Sequence, residues 1–364
     1  MSAPLDLLHL ANSFDSFGRT HCGEEPVYAA LCAMFAREPE RLGVLRDAEP
    51  TQRRPNLLLA AAHLLVSRER TSPFAEYFRS AGGMREVDDE FADRAREFLD
   101  AHVETIAALC ATRTTQTNEI GRCAILWPAV LEGLERTGAR ECALFDFGAS
   151  AGLNLGLDVY GLDYDDLRVR PGAEPRIDCK LVGPGRFAST GNVRVAARLG
   201  VDVSPVDLHD AASREWLLAC VWPHDITRRV RLERAIDVAL EHGFRVEQAH
   251  DGLELIEQRI AKLPADVTPV VFHTWVLNYI PPDRRRTAIT RLRGLVRDRR
   301  AIWISGEGDE VVLDPSLPRC PPFETQWLLT TPEGQSVVAH SHPHGAWLRW
   351  GSVQTRADNS PSAT

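Results

Sequence analysis

The sequence predicts an α/β protein: a doubly wound, mostly parallel sheet that follows an all-helical segment and ends in an antiparallel hairpin. Three observations carry this. The first 140 residues place apolar side chains at spacings of three and four almost throughout. From residue 141, short apolar runs alternate with helical patterns, as in a parallel sheet covered by helices on both faces. The first of these runs, "LFDF", carries an acid and leads straight into the small-residue loop "GASAG". The expected organisation is a helical domain over 1–140, acting as a lid or substrate-recognition element, then a core over 141–350 with an insertion at 161–192, and a flexible polar tail over 351–364.

In the helical part, Phe91, Ala95, Phe98, His102, Ile106 and Leu109 fall on one face. Acids at Glu86, Asp88, Asp89 and Glu90 stand where a helix N-terminus favours negative charge. This reads as one helix, with His102 a core or rim histidine. A further helix runs through Ile120, Ala124, Leu131 and Leu134, is expected to be interrupted near Pro128, and stops at Gly138. In the core, strands are expected at 142–147, 193–199, 244–249, 269–273 and 301–305. Helical patterns separate them, such as Leu232, Ala235, Ile236, Ala239 and Leu240, or Leu253, Ile256, Ile260 and Leu263. Residues 327–331 and 336–340, joined by Pro332-Glu333-Gly334, form the terminal hairpin.

Bulk properties narrow the chemistry. The 364 residues carry a net charge of −9, against bulk nucleic-acid binding, which needs positive charge to displace counterions. Eight arginines between Arg284 and Arg300 alternate with Ile289, Leu292, Leu295 and Val296, the pattern of a solvated helix face. The longest apolar run, 57–66, is short and contains His63, so neither signal peptide nor membrane span is expected. Eight scattered cysteines without a C-x-x-C pair suit a reduced, cytoplasmic protein. Of 42 basic residues only Lys180 and Lys262 are lysines and neither follows a glycine, which excludes a P-loop. Nothing in the sequence specifies an oligomeric state.

The loop at 148–152 supports two chemistries. Gly148-Ala149-Ser150-Ala151-Gly152 is a G-x-S-x-G elbow, which would present Ser150 as a hydrolase nucleophile with Asp309 or Asp314 and His344 as partners. It is equally a loop that cradles a cofactor after the first strand of a doubly wound sheet. The hydrolase needs several strands ahead of its nucleophile, and nearly everything before Cys142 reads as helix, which favours the cofactor.

The spacing of Asp146, Gly148 and Gly152 resembles the first motif of class I S-adenosylmethionine-dependent methyltransferases. "VVFHTWVLNYIPPDRRRTAITRLRGLVRDRRAIWISGEG" (270–308) resembles their fourth strand, loop, helix and fifth strand. The resemblance covers roughly 141–308 and implies a Rossmann-like core, S-adenosylmethionine as cofactor and a small-molecule methyl acceptor. It departs from the pattern at the second-strand acid: Asp202 and Asp207 come about 50 residues after the glycines. Over "TQTNEIGRCAILWPAV", "GASAGLNLGLDVY", "GVDVSPVDL", "VWPHDITRRVRL", "VVFHTWVLNYI" and "HGAWLRW" the whole chain resembles a bacterial family of unknown function. A non-catalytic relative of the methyltransferase fold is the other alternative.

Candidate cofactor-binding residues are Asp146, Gly148, Ser150, Gly152, Asn154, Asp202, Asp207, Asn118 and Arg122. The glycines would permit close backbone approach and the acids would meet the cofactor's amino end or ribose. Candidate catalytic residues are His273, Glu307, Tyr279, Glu119 and His344, with Asn278 nearby. "QTNEIGR" places Gln116, Asn118, Glu119 and Arg122 either as a closing element or as a helix start capped by Thr117 or Asn118. His340, His342 and His344 would share one face of an extended strand, but Pro343 and the lack of a companion carboxylate or cysteine count against a metal site.

Overall fold

The computed structural model describes residues 5–116, 118–188 and 191–351. The chain divides into two compact units, residues 1–117 with 207–233, and residues 118–206 with 234–364. The division thus falls at residue 117, where the sequence suggests 140, and a segment from mid-chain joins the helical unit. Of the expected tail at 351–364, all but Gly351 lies outside the described residues.

The helical unit contains α1 (Leu7–His21), α2 (Pro26–Arg37), α3 (Pro55–Arg68), α4 (Phe91–Ala101) and α5 (Val103–Thr112). It also takes in α7 (Ala211–Ala219) and the start of α8 (Ile226–Glu241). Helix α3 is buried all round, from Leu57 to Val66, which is why its sequence is apolar on every face. Its His63 bonds Ala219 O through Nδ1 at 2.9 Å and Ser80 Oγ through Nε2 at 2.6 Å. Burial pushes this imidazole's pKa down to about 4. Among the described residues no helix is long and apolar enough to cross a membrane.

The single helix expected across 91–109 is two, broken at His102. The ring Nδ1–H of His102 donates to Phe98 O at 2.8 Å, the carbonyl that its own N–H would take in a continuing helix. That N–H turns to Leu99 O instead. The reverse happens at Pro128, which does not interrupt α6 (Cys123–Thr137). Proline removes the donor to Ala124 O, and the buried Tyr164 hydroxyl donates to that carbonyl at 2.7 Å in its place.

The second unit holds α6, α9 (Gly252–Ile260) and α10 (Pro282–Arg299) around a sheet built from β1 (Glu141–Phe147), β5 (Lys180–Leu181), β6 (Arg194–Asp202), β7 (Val246–Gln248), β8 (Thr268–Thr274), β9 (Ile302–Glu307), β10 (Thr325–Thr331), β11 (Gly334–Ser341) and β12 (Trp347–Trp350). The strand order is β5-β12-β11-β10-β9-β8-β1-β6-β7. Strands β7, β6, β1, β8 and β9 are mutually parallel, whereas β10, β11 and β12 extend the same sheet antiparallel from β9. This is a mixed α/β fold with a large, mostly parallel sheet.

One sheet face packs Ala143, Phe145, Val201, Val271 and Trp303 against α9 and α10. The alternate residues face the other way: Ile302 meets α6 at Gly133, where a β-carbon would lie 2.7 Å from Ile302 Cγ2. The apolar stripe of α10 (Ala288, Ile289, Leu292, Leu295, Val296) is buried. Of its arginines, Arg291 pairs with Asp251 and Glu257, and Arg293 with Asp314. The insertion forms a small separate sheet of β2 (Gly161–Tyr164), β3 (Leu167–Val169) and β4 (Arg176–Asp178).

Candidate functional site

The parallel half of the sheet reverses direction of build between β1 and β8, since β6 and β7 lie on one side of β1 and β8 and β9 on the other. In open α/β sheets the crevice outside the carboxyl ends of such strands takes the ligand. The loop after β1 therefore sits where the sequence suggests. The helix expected after it does not form: Leu153–Gly156 is one 3-10 turn, and the chain runs on into the insertion.

The loop is held from two sides. Residues 148, 150 and 152 all have positive φ, at 79°, 53° and 73°. Two glycines are natural there, while Ser150 is constrained by its partners: its N–H donates to Asp202 Oδ2 at 2.8 Å and its hydroxyl accepts from Asn118 Nδ2 at 2.6 Å. Asn118 Oδ1 takes the Ala151 N–H at 2.9 Å, so one side-chain amide clamps both residues. Gly148 and Ala149 donate to Val201 O and Gly152 donates to Ala149 O. All five loop N–H groups are thus turned inward. A pyrophosphate, which needs such donors, would find none of them free.

Acceptors are the opposite case. Asp146, at the end of β1, is 2% exposed and its Oδ2 has no hydrogen-bond partner among the described residues. Burial pushes its carboxyl pKa up to about 8, the neighbouring Asp202 adds to the rise, and Arg122 opposes it. Asp202 is the last residue of β6, the strand beside β1. The 50-residue spacing therefore still delivers an acid to the second strand's end.

Gly148 is required by the protein itself. A β-carbon there would lie 2.5 Å from Val276 Cγ2, and one at Gly152 2.6 Å from Val246 Cγ2. Gly148→Val should destabilise by about 2–5 kcal/mol, summing positive-φ strain and overpacking. Urea denaturation with an unchanged midpoint would show that Val276 simply moves aside.

The "NEIGR" segment locks onto the turn before β12. Gly121 and Gly345 cross at backbone contact, where a β-carbon on Gly121 would stand 2.2 Å from His344 O and one on Gly345 2.2 Å from Gly121 O. Arg122, 5% exposed, donates from Nε to Pro343 O at 2.9 Å and from Nη1 to Thr274 Oγ1 at 3.2 Å, with its guanidinium over Trp275. Glu119 Oε1 accepts from Gly121 N at 2.7 Å and caps that turn. Asn118 instead serves the loop, and Thr117 lies outside the described residues.

The proposed catalytic groups separate into two centres. Asp146, Arg122 and Glu119 lie on the α6 side of the sheet. His273 and Glu307 share the α9/α10 face with Trp303. His273 is fully buried; its Nδ1–H donates to Glu307 Oε1 at 2.7 Å and its Nε2 accepts from the Trp303 indole at 3.1 Å. Both ring nitrogens are committed, so this imidazole positions Glu307. The same Oε1 also accepts from Val276 N at 3.0 Å and Leu277 N at 3.1 Å.

Tyr279 is 59% exposed. Asn154 Oδ1 accepts from the Cys123 thiol at 3.3 Å. Asp207, in the helical unit, is exposed and accepts from His209 N, and Gln116 belongs to that unit too. His340 is buried in β11, while His342 and His344 lie in the turn that follows, so the three histidines share no strand face. Among the described residues no group of three His, Cys, Asp or Glu is placed to hold a metal. The Ser150 hydroxyl accepts from an amide, Asp314 is bound to Arg293 and Ser316, and β1 is the first strand among the described residues. Trp275 and Val276, which close over Arg122 and Gly148, carry no sequence signal.

A comparison with curated proteins found no match. The model of one protein family, "Uncharacterized protein conserved in bacteria (DUF2332)", matches residues 11–350. With nearly its whole length matched, the chain belongs to that bacterial family.

Proposed function

We propose that the protein binds S-adenosylmethionine and is a methyltransferase acting on a small molecule. The observation that carries this reading is Asp146, a buried carboxyl with an unpartnered oxygen at the carboxyl end of the first strand, beside the point of strand reversal. The parallel strands run in the order third, second, first, fourth, fifth, a doubly wound order, and this supports a class I methyltransferase-like, Rossmann-like core. A ligand with ammonium and sulfonium charges needs acceptors where a phosphate needs donors. Asp146 and Asp202 supply acceptors, and the loop offers no spare N–H. Asn118 and Arg122 would hold the loop and the strand ends in place. When bound, the cofactor would supply an electrophilic methyl group; this chain's part is then to orient it and exclude water.

A cation beside Asp146 favours the ionised form, so binding should release a proton near neutral pH. Calorimetry with S-adenosylmethionine and S-adenosylhomocysteine, in buffers of different ionisation enthalpy, tests this. Binding with buffer-dependent heat, lost in Asp146→Asn, is expected. No heat from either compound at millimolar concentration would overturn the reading, as would labelling of Ser150 by a fluorophosphonate.

A further inference from the structure

We propose that the end of β9 and the turn after β8 form a receptor for a basic nitrogen compound, a primary amine or a guanidine. The inference rests on the proposed function only in naming that compound as the methyl acceptor. Glu307 is 2% exposed and takes three donors on Oε1, from His273, Val276 and Leu277, while Oε2 is buried with no partner among the described residues. Directly after Leu277, Asn278 Oδ1 is likewise buried and unpartnered. Two residues before Glu307, on the same sheet face, the Ser305 hydroxyl is buried without a partner among the described residues.

Buried polar atoms are almost always paired. Three unpaired ones within one turn and one strand end therefore call for a complement. Two of the three are acceptors, and an ionised carboxylate can only accept. A ligand that brings carbonyl, carboxylate or phosphate oxygens would set acceptors against acceptors. One that brings several N–H donors and positive charge would satisfy both Glu307 Oε2 and Asn278 Oδ1 by charge-assisted hydrogen bonds, the stronger to the carboxylate. The next residue, Tyr279, gives the same turn an exposed aromatic ring, a surface that attracts cations. Arg285 Nη2 approaches Asn278 O at 3.4 Å, so this turn is anchored from α10 through its backbone and not through Asn278 Oδ1.

The test titrates n-butylammonium and butylguanidinium, with n-butanol and butyrate as controls, into the full chain without S-adenosylmethionine. Amide NMR shifts of Val276 and Leu277, whose N–H groups bond Glu307, report on binding. Saturable shifts with the two nitrogen compounds alone are expected. In Glu307→Gln, which retains an amide oxygen for the three donors, binding should weaken about tenfold, the loss of one charge-assisted bond. Asn278→Ala leaves the Glu307 bonds intact and should weaken binding several-fold. Equal shifts from butanol or butyrate would overturn the proposal. So would an unresponsive parent, or Glu307→Gln and Asn278→Ala proteins that bind as tightly as the parent; Oε2 would then be satisfied by a proton or an internal water. Because no cofactor is present, failure here leaves the S-adenosylmethionine reading standing, and a failed cofactor titration leaves this result standing.

Discussion

Asp146→Asn should stabilise the protein at neutral and alkaline pH and have little effect in acid. The folded-state pKa of Asp146 is raised to about 8 by burial, against about 3.9 for an unfolded aspartate. Below the unfolded value the group is protonated in both states and its contribution is fully present. Between about pH 4 and pH 8 the unfolded chain releases the proton and the folded one keeps it. Stability is therefore lost by about 1.4 kcal/mol per pH unit, on the order of several kcal/mol across the window. Asparagine has no proton to lose and keeps nearly the same shape. Urea denaturation at pH 5 and pH 8.5 measures this: the gap between variant and parent should widen with pH. A gap that stays constant would mean that Asp146 is ionised throughout. The same substitution should cost S-adenosylmethionine binding, so stability gained and ligand affinity lost would appear in one variant.

Glu307→Ala should have the opposite character, a loss of about 3–5 kcal/mol with no compensating gain, because three donors lose their shared acceptor at a cost of about 1–3 kcal/mol for each one left buried and unsatisfied. Three donors depend on Glu307 Oε1: the His273 ring and the backbone N–H groups of Val276 and Leu277. Alanine leaves all three in a site from which water is largely excluded. The damage should spread to the first loop, because Val276 packs against Gly148. Thermal melting followed by circular dichroism, together with amide exchange at Val276 and Leu277, reads both effects. Glu307→Gln should recover most of the stability. An alanine variant that melts with the parent would show that the turn after β8 is held by other contacts.

Much of the architecture could be read in the sequence because it depends on neighbours. The strand at 142–147, the strands around 270 and 303 and the terminal hairpin follow from apolar runs, and the helical stop at Gly138 from a residue free to take positive φ. The stripe of α10 was legible for the same reason, since Ile289, Leu292 and Leu295 repeat at helical spacing. Local pattern failed where a side chain, near or distant, took a part that the pattern does not show. Pro128 should break a helix, but Tyr164 supplies the missing donor. The 91–109 stripe should make one helix, but the His102 ring captures a carbonyl of its own ladder. The loop after β1 should open a helix, yet a single 3-10 turn follows, and Asn118 and Asp202 do the holding.

The candidate site divides in the same way. The sequence alone determined that an acid, a glycine-flanked loop and a later histidine and glutamate stand at strand ends, because alternation and loop composition are written in consecutive residues. Only the tertiary structure decided which of them meet. It set Asp202 beside the loop, despite a 50-residue interval, because strand pairing is fixed by sheet order and not by distance along the chain. It sent His273 and Glu307 to one face of the sheet and Asp146 with Arg122 to the other, because the pleat turns alternate side chains to opposite sides. It also closed Val276 over Gly148 and crossed Gly121 with Gly345, contacts that depend on backbones brought together from far apart in the chain.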